Sequence, residues 1–294
     1  MVGVDIGGTK ISAALIVDDV IVSQARRSTP LTGARDLLAA VSALVSEVDP
    51  AHRANGIGVA TAGTVDDRGV IASATNLLPG WAGTDVRGYI ESAFNVRVRV
   101  INDVHGLAVS EARGAPERLL AIALGTGVGG GFAVDGRLVA GPRGWAGSLG
   151  HVTVNPSSRS VCSCGARGHL EAEVAGPILE RAYATATGVS LPLHAVAGRA
   201  HEGDSTAREL IVRAGRITGV AAASGVTLLD IDRIVVGGGV AEIGDMLIDA
   251  IRAGLDEALP SALRGTVRLD AARSGVRAAM IGAAWHARAD NITQ

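Results

Sequence analysis

The chain has 294 residues, of which 48% are hydrophobic and 2% aromatic, so it is globular and long enough for one large or two ordinary domains. Its net charge of −2 gives no reason to expect nucleic acid or an anionic membrane as a partner. No apolar run reaches transmembrane length. The two cysteines and an N-terminus without a signal-peptide pattern favour the cytoplasm.

The first part of the chain predicts strands and one helix. Strands are predicted at 2–6, 11–17, 20–25, 57–61 and 96–103. Residues 34–48 place their apolar side chains at helical spacing and predict a helix. The first two strands are joined by the glycine turn GGTK.

The pattern restarts at residue 119 with the strand LLAIALG, the glycine loop GTGVGG and a hairpin through Asp135-Gly136. GFAVDGRLV echoes ALIVDDVIV of the first part. Further helices are predicted near 169–186, 206–226, 243–258 and 277–288, and strands at 232–239 and 266–271. Two similar halves predict two α/β domains around a cleft, residues 1–103 and 104–276. We expect the C-terminal helix, within 277–294, to pack back on the first domain.

The glycine loop at 125–130 matches the G-x-G-x-x-G pattern of dinucleotide-binding folds, but its context does not. That site needs a helix after the loop and an acidic residue about 20 positions later. Here a hairpin strand follows, and no G-K-[ST] phosphate loop occurs. Glycine turns can still direct backbone N–H groups at phosphate. One such turn alone favours a plain hairpin, whereas GGTK, GTGVGG and GGG (237–239) together favour a nucleotide site.

Cys162 and Cys164 stand in one loop between His151 and His169. A disulfide between them would close a small strained ring in a reducing compartment. Two buried structural cysteines are a second interpretation. A third is zinc, because the four side chains supply the number of nitrogen and sulfur ligands that a tetrahedral site needs. The spacing alone leaves the choice open.

Six segments in order resemble the ROK family, which contains sugar kinases and sugar-responsive repressors. They are DIGGTK (5–10), TNLLPGW (75–81), IND (101–103), LGTGVGGG (124–131), the segment 151–171 and VVGGG (235–239). The resemblance covers essentially the whole chain. It implies an actin-like, ribonuclease H-like ATPase fold, ATP and Mg²⁺ as cofactors, and a homodimer or homotetramer.

The resemblance also favours zinc among the three interpretations. ROK proteins build a structural zinc site from one histidine and three cysteines, and His169 stands where the last cysteine is usual. The implied ligands are therefore His151, Cys162, Cys164 and His169. His151 would direct its second ring nitrogen toward a sugar, and Glu171 would accept hydrogen bonds from sugar hydroxyls.

The same resemblance assigns the remaining roles. Asp103 corresponds to the family's catalytic base, Asn102 and Asn76 to its sugar ligands, and Asp5 to a group that holds Mg²⁺ through water. Phosphate contacts are implied at Gly7, Gly8, Thr9, Lys10, Gly125, Thr126, Gly127, Gly237, Gly238 and Gly239.

The chain departs from the family pattern at two positions. His105 stands where relatives commonly have asparagine, and Ser148 where glucose-type relatives have a sugar-binding glutamate. We expect an ATP-dependent kinase for the 6-hydroxyl of a hexose or N-acetylhexosamine, with N-acetylmannosamine and glucose the leading substrates. The alternatives are a catalytically silent relative and a repressor, whose DNA-binding domain would precede a hairpin that here begins at residue 2.

Overall fold

The computed structural model describes residues 1–74, 77–273 and 275–289, without the side chains of residues 276 and 289. The chain forms two compact units. The first comprises residues 1–116, 131–146 and the described part of 274–294, and the second comprises 117–130 and 147–273. These units differ in extent from the domains predicted at 1–103 and 104–276, which remain a prediction.

The elements up to residue 112 all belong to the first unit. In chain order they are β1 (Val2–Ile6), β2 (Lys10–Val17), β3 (Val20–Ser28), α1 (Ala34–Val48), β4 (Gly56–Thr61), β5 (Thr64–Val65), β6 (Ile71–Ser73), α2 (Val86–Phe94), β7 (Arg97–Asn102) and α3 (Asp103–Ala112). The five longer strands form one sheet in the order β3-β2-β1-β4-β7, and β5 pairs with β6.

The following elements are β8 (Arg118–Leu124), β9 (Val128–Val134), β10 (Arg137–Leu138), α4 (Glu171–Val174), α5 (Gly176–Thr187), α6 (Leu193–His201), α7 (Ser205–Leu229), β11 (Arg233–Gly237), α8 (Asp245–Ala258), β12 (Arg268–Ala271) and α9 (Ala278–Ala289). Their strands form a second sheet in the order β10-β9-β8-β11-β12. Among the described residues, no helix is both long and apolar enough to cross a membrane.

Helix α9 packs on the first sheet at glycines that leave room for its backbone. A Cβ atom at Gly58 of β4 would lie 2.0 Å from the carbonyl oxygen of Ala283. At Gly282 a Cβ atom would lie 1.8 Å from the carbonyl oxygen of Gly106 in α3. Both glycines are therefore required by close approach of main chain to main chain. The arrangement brings α9 against β4 and α3 and covers one face of the sheet.

The second unit contains an ion network at the start of its parallel strands. Arg233 of β11 is 6% exposed and pairs with Glu117 (3.3 Å) and Asp270 (2.7 Å). Glu117 also pairs with Arg268. Because β8, β11 and β12 start side by side in parallel, these charges from distant segments meet at one end of the sheet.

The sequence pattern missed helices α2, α3 and α6. In α3 the side chains from Val104 to Ala112 are all buried, so the segment shows no alternation of apolar and polar faces. The helix predicted near 169–186 is instead divided into α4 and α5 at Ala175, which adopts an extended conformation (φ −61°, ψ 148°). Pro177, in the first turn of α5, has no backbone N–H with which to continue α4.

Candidate functional site

Two carboxyl groups from β1 and α3 form the acidic part of the site. Asp5 lies in β1, opposite Ser12 of β2 and Ala60 of β4. Asp103 is the first residue of α3, directly after β7, and its Oδ1 accepts a hydrogen bond from the amide of Val104 at 2.9 Å. Both side chains keep part of their surface exposed. They are therefore accessible to a ligand while lying deep enough to lose hydration.

The pKa values of both groups are raised. Burial, followed by the negative charge of Asp103, raises the pKa of Asp5 to about 7, and Lys10 acts in the opposite direction. Burial also raises the pKa of Asp103, against hydrogen bonds from Val104 and Asn102 that favour its charged form. Neighbouring carboxyls with raised pKa values are typical of sites that accept a proton or bind a cation.

Asn102 has a structural role that explains its residue type. Its Oδ1 caps α3 by accepting hydrogen bonds from the amides of Val104 (2.8 Å) and His105 (3.4 Å). Its Nδ2 donates to the carbonyl oxygen of Gly63 at 2.9 Å. Capping by asparagine satisfies amides that the helix cannot pair itself. The helix start that carries Asp103 is thereby held on β7.

The first glycine turn joins β1 to β2 as an antiparallel hairpin. The amide of Gly7 donates to the carbonyl oxygen of Lys10 at 3.0 Å, and Thr29 Oγ1 donates to the carbonyl oxygen of Gly7 at 2.6 Å. Thr9 and Lys10 are exposed at the tip. A Cβ atom at Gly8 would lie 3.4 Å from Leu77 Cβ, an ordinary contact distance. The turn is formed as predicted, and its phosphate role stays a prediction.

The second glycine loop is held by its own backbone and by the start of α5. The amide of Gly125 donates to the carbonyl oxygen of Gly127 at 2.9 Å, and the amide of Gly176 donates to the carbonyl oxygen of Gly125 at 2.8 Å. Thr126 is exposed at the loop's turn. A Cβ atom at Gly127 would lie 2.7 Å from Oε2 of Glu171, so glycine there lets the carboxylate approach. Two backbone hydrogen bonds and the approach of Glu171 therefore shape the loop.

The third glycine run is required by the backbone at one of its positions. Gly237 ends β11 and is buried. Gly238 has φ +87°, and a Cβ atom there would lie 2.3 Å from the carbonyl oxygen of Leu124. Gly239 faces open space, because a Cβ atom there would meet no neighbour within 4 Å. The backbone therefore requires glycine at Gly238, whatever role the run has toward a nucleotide.

The histidines and cysteines of the loop after β10 converge in the second unit. One ligand atom from each of His151, Cys162, Cys164 and His169 lies within 4.8 Å of the others. His151 Nδ1 is 3.5 Å from Cys162 Sγ, and His169 Nδ1 is 3.3 Å from Cys164 Sγ. A tetrahedral zinc ion, with bonds of about 2.3 Å to sulfur and 2.0 Å to nitrogen, sets such atoms about 3.5 Å apart. The four side chains therefore fit a zinc ion.

Local backbone contacts hold this cluster together. The amide of Cys162 donates to the carbonyl oxygen of Ala166, and the amide of Gly165 donates to that of Cys162. His151 ends the short 3₁₀ turn Leu149–His151. Burial lowers the pKa of His151, which favours the neutral imidazole that a metal needs. Burial raises the pKa of the Cys162 thiol to about 12, so the positive charge of a metal would be needed to form its thiolate.

Glu171, the first residue of α4, accepts hydrogen bonds from two loops. Oε1 accepts from the amide (3.2 Å) and Oγ (2.5 Å) of Ser163 and from Cys162 Sγ (3.1 Å). Oε2 accepts from the amide of Val128 at 3.0 Å. Burial acts to raise the pKa of Glu171, but these hydrogen bonds outweigh it and the pKa is lowered. Sequence patterns gave no sign of the Val128 contact. The contacts of Glu171 with Ser163 were not predicted either, although Ser163 lies between the two cysteines.

Comparisons with known proteins identify the family of the chain. The ROK family profile matches residues 1–290. The chain belongs to the ROK family. It is 31% identical to N-acetylmannosamine kinase of Salmonella arizonae, over 98% of each chain. ROK hexokinase from Thermus thermophilus superposes with a TM-score of 0.87 at 32% identity, over 99% of this chain and 98% of that one.

A third relative is a ROK glucokinase from Streptomyces griseus, whose structure was solved with glucose and AMPPNP. It superposes with a TM-score of 0.82 at 30% identity, over 98% of this chain and 99% of that one. The ROK fold of this chain is therefore the actin-like ATPase fold, as the sequence resemblance implied.

The departures from the ROK pattern have defined positions. Ser148 is partly exposed and precedes the 3₁₀ turn that ends at His151. His105 is only 2% exposed, and its ring hydrogen-bonds to the backbone of Ala146. Burial lowers the pKa of His105 to about 4, so it is neutral at physiological pH. The predicted sugar ligand Asn76 lies outside the described residues.

Proposed function

We propose that this ROK protein is an ATP-dependent kinase that phosphorylates the 6-hydroxyl of a hexose or N-acetylhexosamine. The observation that carries the proposal is Asp103, a partly exposed carboxyl at the start of a capped helix, with a pKa raised by burial. A general base works best when its pKa is close to the operating pH. Its relatives are named as kinases of N-acetylmannosamine, hexose and glucose.

In the proposed reaction Asp103 takes the proton of the sugar's 6-hydroxyl, whose oxygen forms a bond to the γ-phosphorus while the bond to ADP breaks. Asn102 fixes the start of α3 and so the position of this base. Asp5 is suited to hold Mg²⁺ through water, since a cation offsets the proximity of two carboxylates. Mg²⁺ would neutralise charge on the phosphates during transfer.

The phosphates of ATP are assigned to backbone N–H groups of the glycine turns, with Thr9, Lys10 and Thr126 at exposed tips. The zinc held by the His/Cys cluster is structural, because four protein ligands leave no open position for substrate. It would fix His151, whose second ring nitrogen is proposed to donate a hydrogen bond to the sugar. Glu171 is proposed to accept hydrogen bonds from the sugar hydroxyls.

Ser148 favours a substrate other than glucose. A glutamate there would accept hydrogen bonds near C1 and C2 of a glucose ring, whereas serine is shorter and uncharged. An axial N-acetyl group at C2 needs space at this position. We therefore place N-acetylmannosamine first and glucose second.

The decisive experiment measures ADP release from Mg²⁺·ATP with glucose, mannose, fructose, N-acetylglucosamine or N-acetylmannosamine, and without sugar. Phosphorus NMR of the product locates the phosphate. Sugar-dependent ADP release with a 6-phosphate product supports the proposal. Sugar binding without ADP release for every sugar would overturn it in favour of a silent sugar-binding protein. Light scattering in the same preparation measures the oligomeric state, for which a homodimer or homotetramer is our prediction.

A further inference from the structure

The side chain of Glu171 is the single carboxylate that joins the cysteine loop to the glycine loop in the described part of the second unit. Oε1 accepts from both donors of Ser163, which lies between the two cysteines, and Oε2 accepts from the amide of Val128. The thiol of Cys162 also donates to Oε1 at 3.1 Å, but this hydrogen bond is lost when a metal takes the thiolate, so the link depends on Ser163. The side chain of Glu171 therefore connects, by hydrogen bonds, the loop that carries the metal ligands to the backbone of residues 125–128.

The backbone is shaped for this link. Glycine at 127 lets Oε2 come close, since a Cβ atom there would lie 2.7 Å away. The carbonyl oxygen of Gly125 meanwhile accepts from the amide of Gly176, two residues beyond α4. The loop 125–128 is thus held from α4 and from the start of α5, and Glu171 supplies the contact that reaches the cysteine loop.

We infer that Glu171 is a positioning residue that couples metal binding at the His/Cys cluster to ATP binding at the glycine loop. This inference rests on the proposed function, because it takes the cluster as a zinc site and residues 125–128 as a phosphate site. It adds a role separate from any contact of Glu171 with sugar.

The physical reason is the geometry of Ser163. A metal bound to Cys162 and Cys164 fixes the residue between them, and with it both hydrogen bonds to Oε1. A fixed carboxylate then orders the amide of Val128 before the nucleotide arrives, so the nucleotide meets a loop that needs less ordering. By thermodynamic linkage, the nucleotide must increase zinc affinity by the same factor.

Glu171→Gln tests the link. The amide of glutamine has one oxygen that accepts hydrogen bonds and one nitrogen that only donates, so it cannot accept from both Val128 and Ser163 as the two carboxylate oxygens do. Glu173→Gln is the matched control. Glu173 lies on the same short helix and accepts from Ser158 Oγ of the same loop at 2.6 Å and from Arg213 at 3.2 Å. Neither contact reaches the glycine loop. Glu171→Asp is a second test variant, since its shorter side chain cannot span both loops.

The measurement is calorimetric binding of Mg²⁺·AMPPNP without sugar, to full-length protein stripped by a chelator and then reloaded with zinc. Sugar is left out so that sugar contacts of Glu171 play no part. We expect zinc to tighten AMPPNP binding about tenfold, within the usual range of coupling between sites. The effect should persist in Glu173→Gln and fall below about twofold in both Glu171 variants.

Two further readouts do not depend on catalysis. Amide hydrogen exchange of residues 125–130 should slow on zinc loading in wild type and remain unchanged in Glu171→Gln. AMPPNP should slow zinc release to a chelator in wild type and Glu173→Gln but not in the Glu171 variants, which tests the coupling on protein that was never stripped.

Equal AMPPNP affinity with and without zinc in wild type, or a full zinc effect in both Glu171 variants, would overturn the inference. Absence of AMPPNP binding to zinc-loaded wild type would instead overturn the proposed function. Hydrogen exchange would then still show whether zinc orders the glycine loop through Glu171.

Discussion

Asp5 and Asp103 are electrostatically linked within the first unit: the charge of Asp103 adds to the effect of burial and raises the pKa of Asp5 to about 7. A strand at the centre of the sheet and the helix after its edge strand therefore share one acidic site. A pair of neighbouring carboxyl groups has a lower free energy when one of them is protonated or when a cation is bound near both. The first two predictions test this relationship.

Asp103→Asn should remove the proposed base. We expect kcat to fall by about 10² to 10⁴, the usual contribution of a general base, while sugar binding is retained. In wild type, kcat/KM should fall as the pH is lowered, because Asp103 must be deprotonated and its pKa is raised above the ordinary 3.8. Steady-state kinetics across pH checks both. Near-normal turnover by the variant would exclude Asp103 as the base.

Asp5→Asn should change the pH dependence of stability. Because the pKa of Asp5 rises from 3.8 to about 7 on folding, its stabilising contribution is complete below pH 3.8 and lost as the pH approaches 7. The neutral variant should therefore match wild type near pH 4 and be more stable at pH 8, by at most about 4 kcal/mol. Urea unfolding without Mg²⁺ at several pH values measures this. Asp135→Asn, which removes a carboxyl at a hairpin turn, is the control. A constant difference across pH would contradict the assignment.

Elemental analysis should find one zinc ion per chain. His169→Ala removes one of four ligands and should weaken zinc retention at least about tenfold, measured as release to a chelator. His169→Cys should retain zinc, because thiolate is an equally good ligand. His194→Ala alters an exposed histidine of α6 and should have no effect. Fully active protein without metal would refute a structural zinc site.

Ser148→Glu should shift specificity toward glucose. We expect the ratio of kcat/KM for N-acetylmannosamine to that for glucose to fall at least about tenfold, as the added carboxylate fills the space for the N-acetyl group. Ser157→Glu adds the same charge at an exposed position of the following loop and serves as the control. If wild type prefers glucose and Ser148→Glu changes nothing, Ser148 does not determine specificity.

Arg233→Ala should destabilise the second unit. It leaves Glu117, 7% exposed, with Arg268 as its remaining partner, so the loss should not exceed the cost of about 3 to 5 kcal/mol that is typical of breaking a buried pair. Arg118→Ala breaks a pair whose side chains are 47% and 81% exposed, and should cost less than about 1 kcal/mol. Urea unfolding compares the two variants. Equal losses would show that burial does not determine the contribution of the pair.

Much of the fold could be predicted because strands and amphipathic helices leave periodic patterns. Helix α1 runs from Ala34 to Val48 as predicted, since its apolar residues lie on one face. Helix α3 was missed because it is buried on every side and carries no such pattern. Local spacing thus identifies elements that have one solvent-facing side, and fails for elements enclosed by the core.

The contacts of the site also differed in whether the sequence could predict them. The spacing of His151, Cys162, Cys164 and His169 left their role open, and only the resemblance to the ROK family implied that they converge. The contact of Glu171 with the amide of Val128 joins residues far apart in the chain, and it depends on how β9 and α4 are placed. Because the donor is a backbone amide, the contact does not require any particular residue type at position 128. No pattern in a single sequence reveals it.

The packing of α9 on β4 has a consequence for synthesis on the ribosome. The chain supplies the sheet of the first unit early, but the helix that covers it only after the whole second unit has been made. During translation the sheet face around Gly58 therefore lacks its cover while about half of the chain emerges. The nascent chain therefore completes its second unit before its first. Until α9 has emerged, apolar strand surface of the first unit is available for chaperones to bind.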